Sequence, residues 1–387
     1  MKKSKKILLI VSAVSIFIGA SMMLGAWLAL ANTASGEMAA MEFVENTHTI
    51  TDDFTKIRIS TINSSIELLP SPDGVCRIVC DDNKKLYHQI SITESVSGAQ
   101  LNTSQHDDWQ WYEMLYGLFR EENLSLRVYL PETEYVLLHA DSSSGDITIA
   151  PDFRFQTVNT YTASGNTEAA ALYAENLTIC SVSGDLILRN LEAAEDAFLE
   201  SISGFTQVEN LKAVNITTHA SSGSTVLEQL SSDYLRATSV SGEIRVFNGN
   251  FRDTTYFETG SGNVEIVDSE CAEQTIQAVS GNVTLQNASG KSLNAGTSNG
   301  SISIENALYS GNLLCKTTSG EIIFFGLDAN TLEFISSSGD VSGNLLSAKN
   351  YIADTSSGYV AVPPSDETAG TCHISTVSGN INIAVKP

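Results

Sequence analysis

The sequence predicts an all-β protein: a single-stranded parallel β-solenoid, similar to a β-helix, of about 13 rungs with a 19–20-residue period, preceded by an N-terminal transmembrane helix. Three observations lead to this prediction. A Ser-Gly pair, once replaced by Asn-Gly, recurs at a nearly constant interval, apolar residues alternate with polar ones on both sides of it, and proline is absent from most of the repeats. A β-sandwich array, the alternative, would not keep one register through so many copies.

The recurring glycine defines the repeat. Consecutive glycines are 19 or 20 residues apart eleven times and 21 residues apart once. They are Gly145, Gly165, Gly184, Gly204, Gly223, Gly242, Gly262, Gly281, Gly300, Gly320, Gly339, Gly358 and Gly379. A fixed period of this length is typical of proteins built from stacked repeats. We interpret these glycines as structural corner residues, because glycine tolerates positive φ and lets a neighbouring rung approach closely.

The residues around each glycine predict two strands per repeat. Apolar side chains stand two and four positions after the glycine and five and seven positions before it, as at Ile147, Ile149 and Leu138, with polar residues between them. Such alternation is typical of half-buried strands. The residue three positions before the glycine is always Ser, Thr or Ala, which indicates little space there. No proline falls between Phe155 and Val362, where it would remove ladder hydrogen bonds. Stacking the rungs in order at about 4.8 Å gives a rod roughly 55–60 Å long.

The N-terminal region predicts a membrane anchor. Residues 1–6 form a basic tip, and residues 7–31 form an uncharged apolar run that is long enough to cross a bilayer as a helix. Because four lysines precede the run, we expect the tip in the cytoplasm and the C-terminal domain outside the cell membrane, as a single-pass protein. The alternative is a cleaved signal peptide, since residues 29–31 have the small-x-small pattern of a cleavage site, and the protein would then be secreted.

The next part of the chain is out of the repeat register. Residues 32–50 are predicted to be a linker, and residues 51–130 to hold N-terminal strands and an aromatic capping segment, which includes Trp109 and Trp111. An open end of stacked sheets must be covered, so we expect a cap there, with a ligand surface as the alternative. Residues 131–387 are the β-solenoid repeats.

The acidic composition limits the classes of partner that the protein can bind. The formal net charge is −24, and without the four N-terminal lysines it is −28. A surface this acidic repels nucleic acid and anionic lipid headgroups. The simpler explanation of this charge is that it keeps a long rod soluble. The alternative is that the surface binds cations or cationic ligands.

Histidine and cysteine spacings match no known metal motif, and no nucleotide-binding or nucleophile motif is present. We therefore predict no catalytic, cofactor-binding or metal residues and expect no cofactor. Cys76 and Cys80 are too far apart on a strand to bridge each other, although a distant partner for either stays open. Cys315 and Cys372 take inward columns three rungs apart, as small core residues.

The residue after each glycine forms an outward column that is rich in Asp, Asn and Glu. Glu321 and Asp340 would lie one rung apart, at about 5 Å, a separation that retaining glycosidases also use. A carbohydrate-active enzyme is therefore one reading. The simpler reading is that Asp and Asn suit a turn after glycine because their side chains bond nearby backbone. We expect the protein not to be an enzyme.

These motifs resemble a known family. The strand pair over residues 62–70 and units such as residues 181–188, with a Ser-Gly-Asp/Asn/Glu core, are similar to the bacterial β-strand-repeat family of unknown function catalogued as putative adhesins. The resemblance covers roughly residues 50–387 and implies the stacked fold, but it supplies no catalytic residues. Some relatives sit beside cell-envelope stress regulators in Gram-positive bacteria. The chain departs from the motif at Phe205, Ser224, Ser301, Tyr359 and Asn299.

The expected function is that of a non-enzymatic, membrane-anchored extracellular rod, an adhesin or cell-envelope binding protein with a cell-wall, glycan or protein partner. The alternative is an envelope-stress sensor or scaffold that acts through its membrane segment. The sequence specifies neither the ligand, nor the handedness, nor the oligomeric state.

Overall fold

The computed structural model describes residues 43–95, 98–108 and 124–386, which form thirty β-strands in one hydrogen-bonded array. Within these ranges no helix has the length and apolar character needed to cross a membrane. The predicted membrane segment at residues 7–31 and the aromatic stretch at 109–122 lie outside the described residues.

The first strands precede the regular repeats. They are β1 (Val44–Ile50), β2 (Lys56–Thr61), β3 (Ser65–Pro70), β4 (Cys76–Asp82), β5 (Leu86–Thr93), β6 (Gln100–Asp107) and β7 (Ser125–Leu130). The strands of the repeats are β8 (Glu134–Ser142), β9 (Ile147–Ile149), β10 (Arg154–Thr162), β11 (Thr167–Ala170), β12 (Tyr173–Ser181), β13 (Leu186–Ser201), β14 (Thr206–Lys212), β15 (Asn215–Ala220), β16 (Thr225–Glu228), β17 (Ser231–Ser239), β18 (Ile244–Phe247), β19 (Asn250–Thr259), β20 (Val264–Val267), β21 (Glu270–Ala278), β22 (Val283–Gln286), β23 (Ser289–Thr297), β24 (Ile302–Thr317), β25 (Ile322–Ser336), β26 (Val341–Leu345), β27 (Asn350–Thr355), β28 (Val360–Ala361), β29 (Thr371–Thr376) and β30 (Ile381–Val385).

Successive repeats stack as parallel strands, so the predicted parallel β-solenoid is confirmed, with about twelve turns. Val158 of β10 lies between Leu138 of β8 and Leu177 of β12, and all three side chains are buried. Equivalent inward positions continue from rung to rung and form one elongated core. The residues between them point outward, so every rung contributes a row of side chains to the surface.

Close packing, rather than backbone conformation, requires the corner glycines. A Cβ atom on Gly262 would lie 1.9 Å from the carbonyl oxygen of Gly242 on the preceding rung. The glycines with positive φ among the described residues lie elsewhere: Gly74, Gly98, Gly326 and Gly343. The expectation that positive φ explains the corner is therefore wrong, whereas the expectation of close approach is confirmed.

A hydroxyl three positions before the glycine ties neighbouring corners together. The amide of Gly262 donates to Oγ1 of Thr259 at 2.9 Å, and that hydroxyl donates to the carbonyl oxygen of Gly242 at 3.3 Å. Small side chains therefore occupy this column for hydrogen bonding as well as for lack of space.

A turn six positions after most corner glycines has a left-handed conformation. Its residues have φ between 48° and 56° and are Ala171, Asn190, Asn210, Gln229, Asn248, Asp268, Asn287 and Asn306. Asn and Asp tolerate this conformation better than other side chains do. Their side chains also bond along the rod, as from Asn210 to Asn190 at 2.8 Å. This column was not predicted from the sequence.

Antiparallel strands close the N-terminal end of the stack. β2 and β3 pair in parallel with β8 and β9 and form the first rung. Beyond β2 come β6 and then the antiparallel strand β5. Beyond β3 come β7 and then the antiparallel strands β4 and β1. The parallel ladder thus passes into antiparallel edges at this end.

The last two repeats exchange places at the other end. β29 lies between β25 and β27, and β30 lies between β26 and β28. The final repeat of the sequence is therefore internal, and the expected stacking in sequence order is wrong here. As a consequence Cys315 and Cys372 are two rungs apart instead of three. Both are buried, as predicted.

Hydrophobicity explains this exchange. The final repeat contributes Ile374 and Ile381 to the core, where the preceding repeat offers Ala353 and Val360 at equivalent positions. Burying the more apolar rung inside and leaving the less apolar one at the end removes more apolar surface from water. β28 is only two residues long and is followed by prolines, which limits further pairing at this edge.

Candidate binding surface on the side of the rod

The outward side chains of the strands before each corner form a grid on one side of the rod. Phe198, Thr217, Arg236 and Tyr256 follow one another in a single column, because β13, β15, β17 and β19 pair in register. Residues two positions away on the same strands form parallel columns on either side. Side chains from four different repeats therefore meet on this surface.

Aromatic residues distinguish this part of the grid. Phe198 is 36% exposed and Tyr234 is 46% exposed. The guanidinium of Arg236 lies 4.6 Å from the ring centroid of Tyr256 and 3.6 Å from a carboxylate oxygen of Glu258, to which the Tyr256 hydroxyl donates at 3.1 Å. Arg236, Tyr256 and Glu258 thus hold one another in place. These five residues are called the aromatic face below.

Two adjoining cavities lie over the aromatic face, with volumes of about 1060 and 510 Å³. Phe198, Thr217 and Arg236 line both, which makes the two cavities parts of one groove across several rungs. Val240 and Val279 line the larger one and are more than half exposed. The remaining lining includes groups that donate and accept hydrogen bonds: His219, Thr238, Gln277 and Asn294.

Both tyrosines of the aromatic face keep their protons at neutral pH. A hydrogen bond with Asp253 and the charge of that carboxylate raise the pKa of Tyr234. Burial and the hydrogen bond to Glu258 raise the pKa of Tyr256. Each therefore presents a neutral ring with a hydroxyl, which is the form that combines apolar contact with hydrogen bonding.

A second groove, of about 1330 Å³, follows another side of the rod. Small residues such as Ala193, Ser231 and Gly290 line it. Each of its cations contacts a carboxylate of a preceding rung: Lys212–Glu192 (3.2 Å), Arg252–Asp233 (3.0 Å), Lys291–Glu273 (3.3 Å) and Lys349–Asp328 (2.6 Å). Its cations are thus already paired with carboxylates, so this groove is the weaker candidate for ligand binding.

The acidic outward column after the glycines has a structural role. Oδ1 of Asp146 accepts a hydrogen bond from the amide of Asn166 on the next rung at 2.7 Å, and Oδ1 of Asn166 accepts one from Asp185 at 2.8 Å. Asp340 accepts in the same way from the amide of Asn380, at 2.7 Å. The side chains bond the backbone of a neighbouring rung, whereas the sequence predicted bonds within a turn.

This role predicts how Asp340 responds to substitution. Asp340→Asn retains the accepting oxygen and is expected to change the free energy of unfolding by less than about 0.5 kcal/mol. Asp340→Ala removes the oxygen and is expected to cost about 1 kcal/mol. Urea denaturation of both variants checks this, and an equal loss in both would show that the negative charge matters instead.

Neither Glu321 nor Asp340 lines any of these three cavities. Glu321 is exposed, and its neighbour Asp340 bonds to the backbone. The corner glycines pack against one another along the rod, as predicted for structural residues. All six cysteines are free thiols, and five of them are buried.

The profile of the Toastrack DUF4097 family matches residues 54–266 and 209–384. The chain belongs to this family. The resemblance predicted from the Ser-Gly repeats is thereby confirmed, and the two matches together span the whole stack of this Toastrack chain.

Two solved structures are similar to it at 9% sequence identity. One is a putative cell adhesion protein from Clostridium sporogenes, with a TM-score of 0.19, 89% of this chain and 100% of that chain covered. The other is a putative adhesin from Bacteroides fragilis, with a TM-score of 0.27 and coverages of 89% and 98%. No curated protein matches the chain.

Proposed function

We propose that the protein is a non-enzymatic binding rod of the cell envelope, anchored in the cell membrane by residues 7–31, and that the aromatic face binds an uncharged glycan chain outside the cell. The observation that carries this proposal is the groove in which Phe198, Tyr234 and the Arg236–Tyr256 pair lie together.

The chemistry of the groove suits a sugar chain. Sugar rings present apolar C–H faces that stack on aromatic rings, and their hydroxyls pair with amides, hydroxyls and carboxylates. The groove offers both kinds of contact, through Phe198 and Tyr234 on one hand and Gln277 and Asn294 on the other. Because the groove crosses several rungs, it matches an extended polymer better than a compact ligand.

The net charge of the protein limits the classes of glycan that it can bind. The formal charge of −28 outside residues 1–31 disfavours anionic polysaccharides. Arg236, the one arginine of the aromatic face, already contacts the Tyr256 ring and the Glu258 carboxylate. Binding should therefore depend little on salt, since screening acts on separated charges and not on ring stacking.

The test measures retention of the full-length protein, purified in detergent, on isolated cell walls and on immobilised neutral and anionic glycans. The double variant Phe198→Ala, Tyr234→Ala is expected to bind a neutral glycan about 5-fold to 150-fold more weakly, since each stacked ring contributes about 0.5–1.5 kcal/mol. The matched control is Tyr161→Ala. Tyr161 is 45% exposed on β10, on the same side of the rod but outside the groove.

Saturable, salt-tolerant binding that the double variant loses and the control keeps would support the proposal. Binding that is equal in all three proteins, or absent on every glycan and wall fraction, would overturn it and shift the weight to a sensor or scaffold that acts through the membrane segment.

A further inference from the structure

A cluster of potential metal ligands lies at the N-terminal end of the rod, apart from the aromatic face. β1 and β4 are antiparallel, with Asn46 opposite Cys80. His48 and Asp82 are each two positions from this pair, so they share one face of the sheet with Cys80. One potential ligand atom from each of His48, Cys80 and Asp82 lies within 4.8 Å of the other two.

Two of these ligands already have the separation of a zinc site. Sγ of Cys80 is 3.5 Å from Oδ2 of Asp82. Zn–S and Zn–O bonds of about 2.3 and 2.0 Å at a tetrahedral angle place sulfur and oxygen about 3.5 Å apart. A metal ion could thus replace the thiol proton between these atoms without moving either strand. His48 is exposed, so its ring has room to turn towards the ion.

Neighbouring groups hold Asp82 in the required orientation. Its Oδ1 accepts hydrogen bonds from the backbone amide of His88 at 3.0 Å and from Nδ1 of the same residue at 2.6 Å. The His88 side chain is fully buried, and its Nε2 has no hydrogen-bond partner among the described residues. Nδ1 therefore carries the proton, since a buried N–H at Nε2 would lack an acceptor. Asp82 thus turns Oδ2 towards Cys80, as a supporting hydrogen bond does for metal ligands in other proteins.

The groups at the cluster are arranged to suit a cation. Oδ2 of Asp82 accepts a hydrogen bond from Nδ2 of Asn46 at 3.2 Å and faces the sulfur of Cys80. A dication between sulfur and oxygen would compensate a thiolate and a carboxylate together.

We propose that His48, Cys80 and Asp82 bind one Zn²⁺ ion, with water as the fourth ligand. A thiolate, an imidazole and a carboxylate suit zinc, whereas calcium and magnesium require oxygen ligands. The ion would join the edge strand β1 to β4 and so fasten the start of the described chain to the rod. The competing reading is that Cys80 and Asp82 are a metal-free structural pair.

Cobalt substitution tests the site directly, because tetrahedral Co²⁺ bound to a thiolate absorbs in the near ultraviolet and in the visible. The full-length protein in detergent is stripped with a chelator and titrated with Co²⁺, and Zn²⁺ is then added. We expect both absorption bands to saturate at one equivalent and to disappear on addition of Zn²⁺. Cys80→Ala is expected to lose the near-ultraviolet band, and His48→Ala to weaken binding by at least about tenfold.

The matched control is Cys76→Ala, since Cys76 is also buried on β4 and points to the same face. It is expected to retain both bands. His48→Ala keeps the test valid if Cys80→Ala does not fold, because His48 is exposed. Absence of the bands in the wild-type protein, or bands that persist at full strength in Cys80→Ala or His48→Ala, would overturn the proposal.

Discussion

Replacing Gly262 by Ala is expected to destabilise the middle of the rod by about 3 kcal/mol, at the upper end of the usual cost of overpacking. The added methyl would lie 1.9 Å from the carbonyl oxygen of Gly242 and 2.9 Å from the amide nitrogen of Glu243, and both of these atoms belong to the backbone of the preceding rung. Backbone atoms in a stacked ladder cannot turn away as a flexible side chain can. The two rungs must therefore move apart at this corner, and the hydroxyl bridge through Thr259 would be strained with them.

Gly296→Ala is the matched control for this prediction. Gly296 lies on β23, and a Cβ atom there would meet its nearest neighbours, two carbonyl oxygens, at 3.9 Å. This substitution is expected to be neutral or slightly stabilising, because alanine reduces the freedom of the unfolded chain. Thermal and urea unfolding of both variants, followed by circular dichroism, measures the difference. Equal stability of the two variants would contradict the close-packing account of the corner.

The repeat could be predicted from sequence because its causes are local and recur. Each corner glycine meets the same carbonyl oxygen of the preceding rung, and each inward position meets its own counterpart. The left-handed turn is equally regular, and the recurring Asn six positions after the glycine was a visible signal for it. The order of the last two rungs was not predictable from the period, because it depends on which repeat buries more apolar surface.

The candidate sites were less predictable, because the residue types that form them do not recur with the repeat. The aromatic face unites Phe198, Tyr234 and Tyr256 from three repeats, whereas other repeats carry different residues at the equivalent positions. The zinc proposal depends on the antiparallel pairing of β1 with β4, which the repeat does not imply. His48 and Cys80 form no recognisable motif along the chain, so the prediction of no metal residues had only motif spacing to rely on.

The exchange of the last two rungs predicts that alanine substitutions at two equivalent positions will reduce stability by very different amounts. Ile381 and Val360 both stand two residues after a corner glycine and pair with each other across β30 and β28. Ile381 is fully buried, whereas Val360 is 43% exposed. Ile381→Ala is therefore expected to cost about 3 kcal/mol through lost burial and a cavity. Val360→Ala is expected to cost less than about 0.5 kcal/mol, since it lies on the open edge.

Hydrogen exchange measured by mass spectrometry is the suitable readout, because a stacked repeat opens locally and need not unfold in one step. Ile381→Ala should speed exchange of the amides of β26 and β30 by about a hundredfold, the equivalent of about 3 kcal/mol. Val360→Ala should leave them nearly unchanged. If the rungs instead stacked in sequence order, β28 would be the internal strand and Val360→Ala would be the costly substitution. The relative effect of these two variants therefore decides which repeat ends the rod.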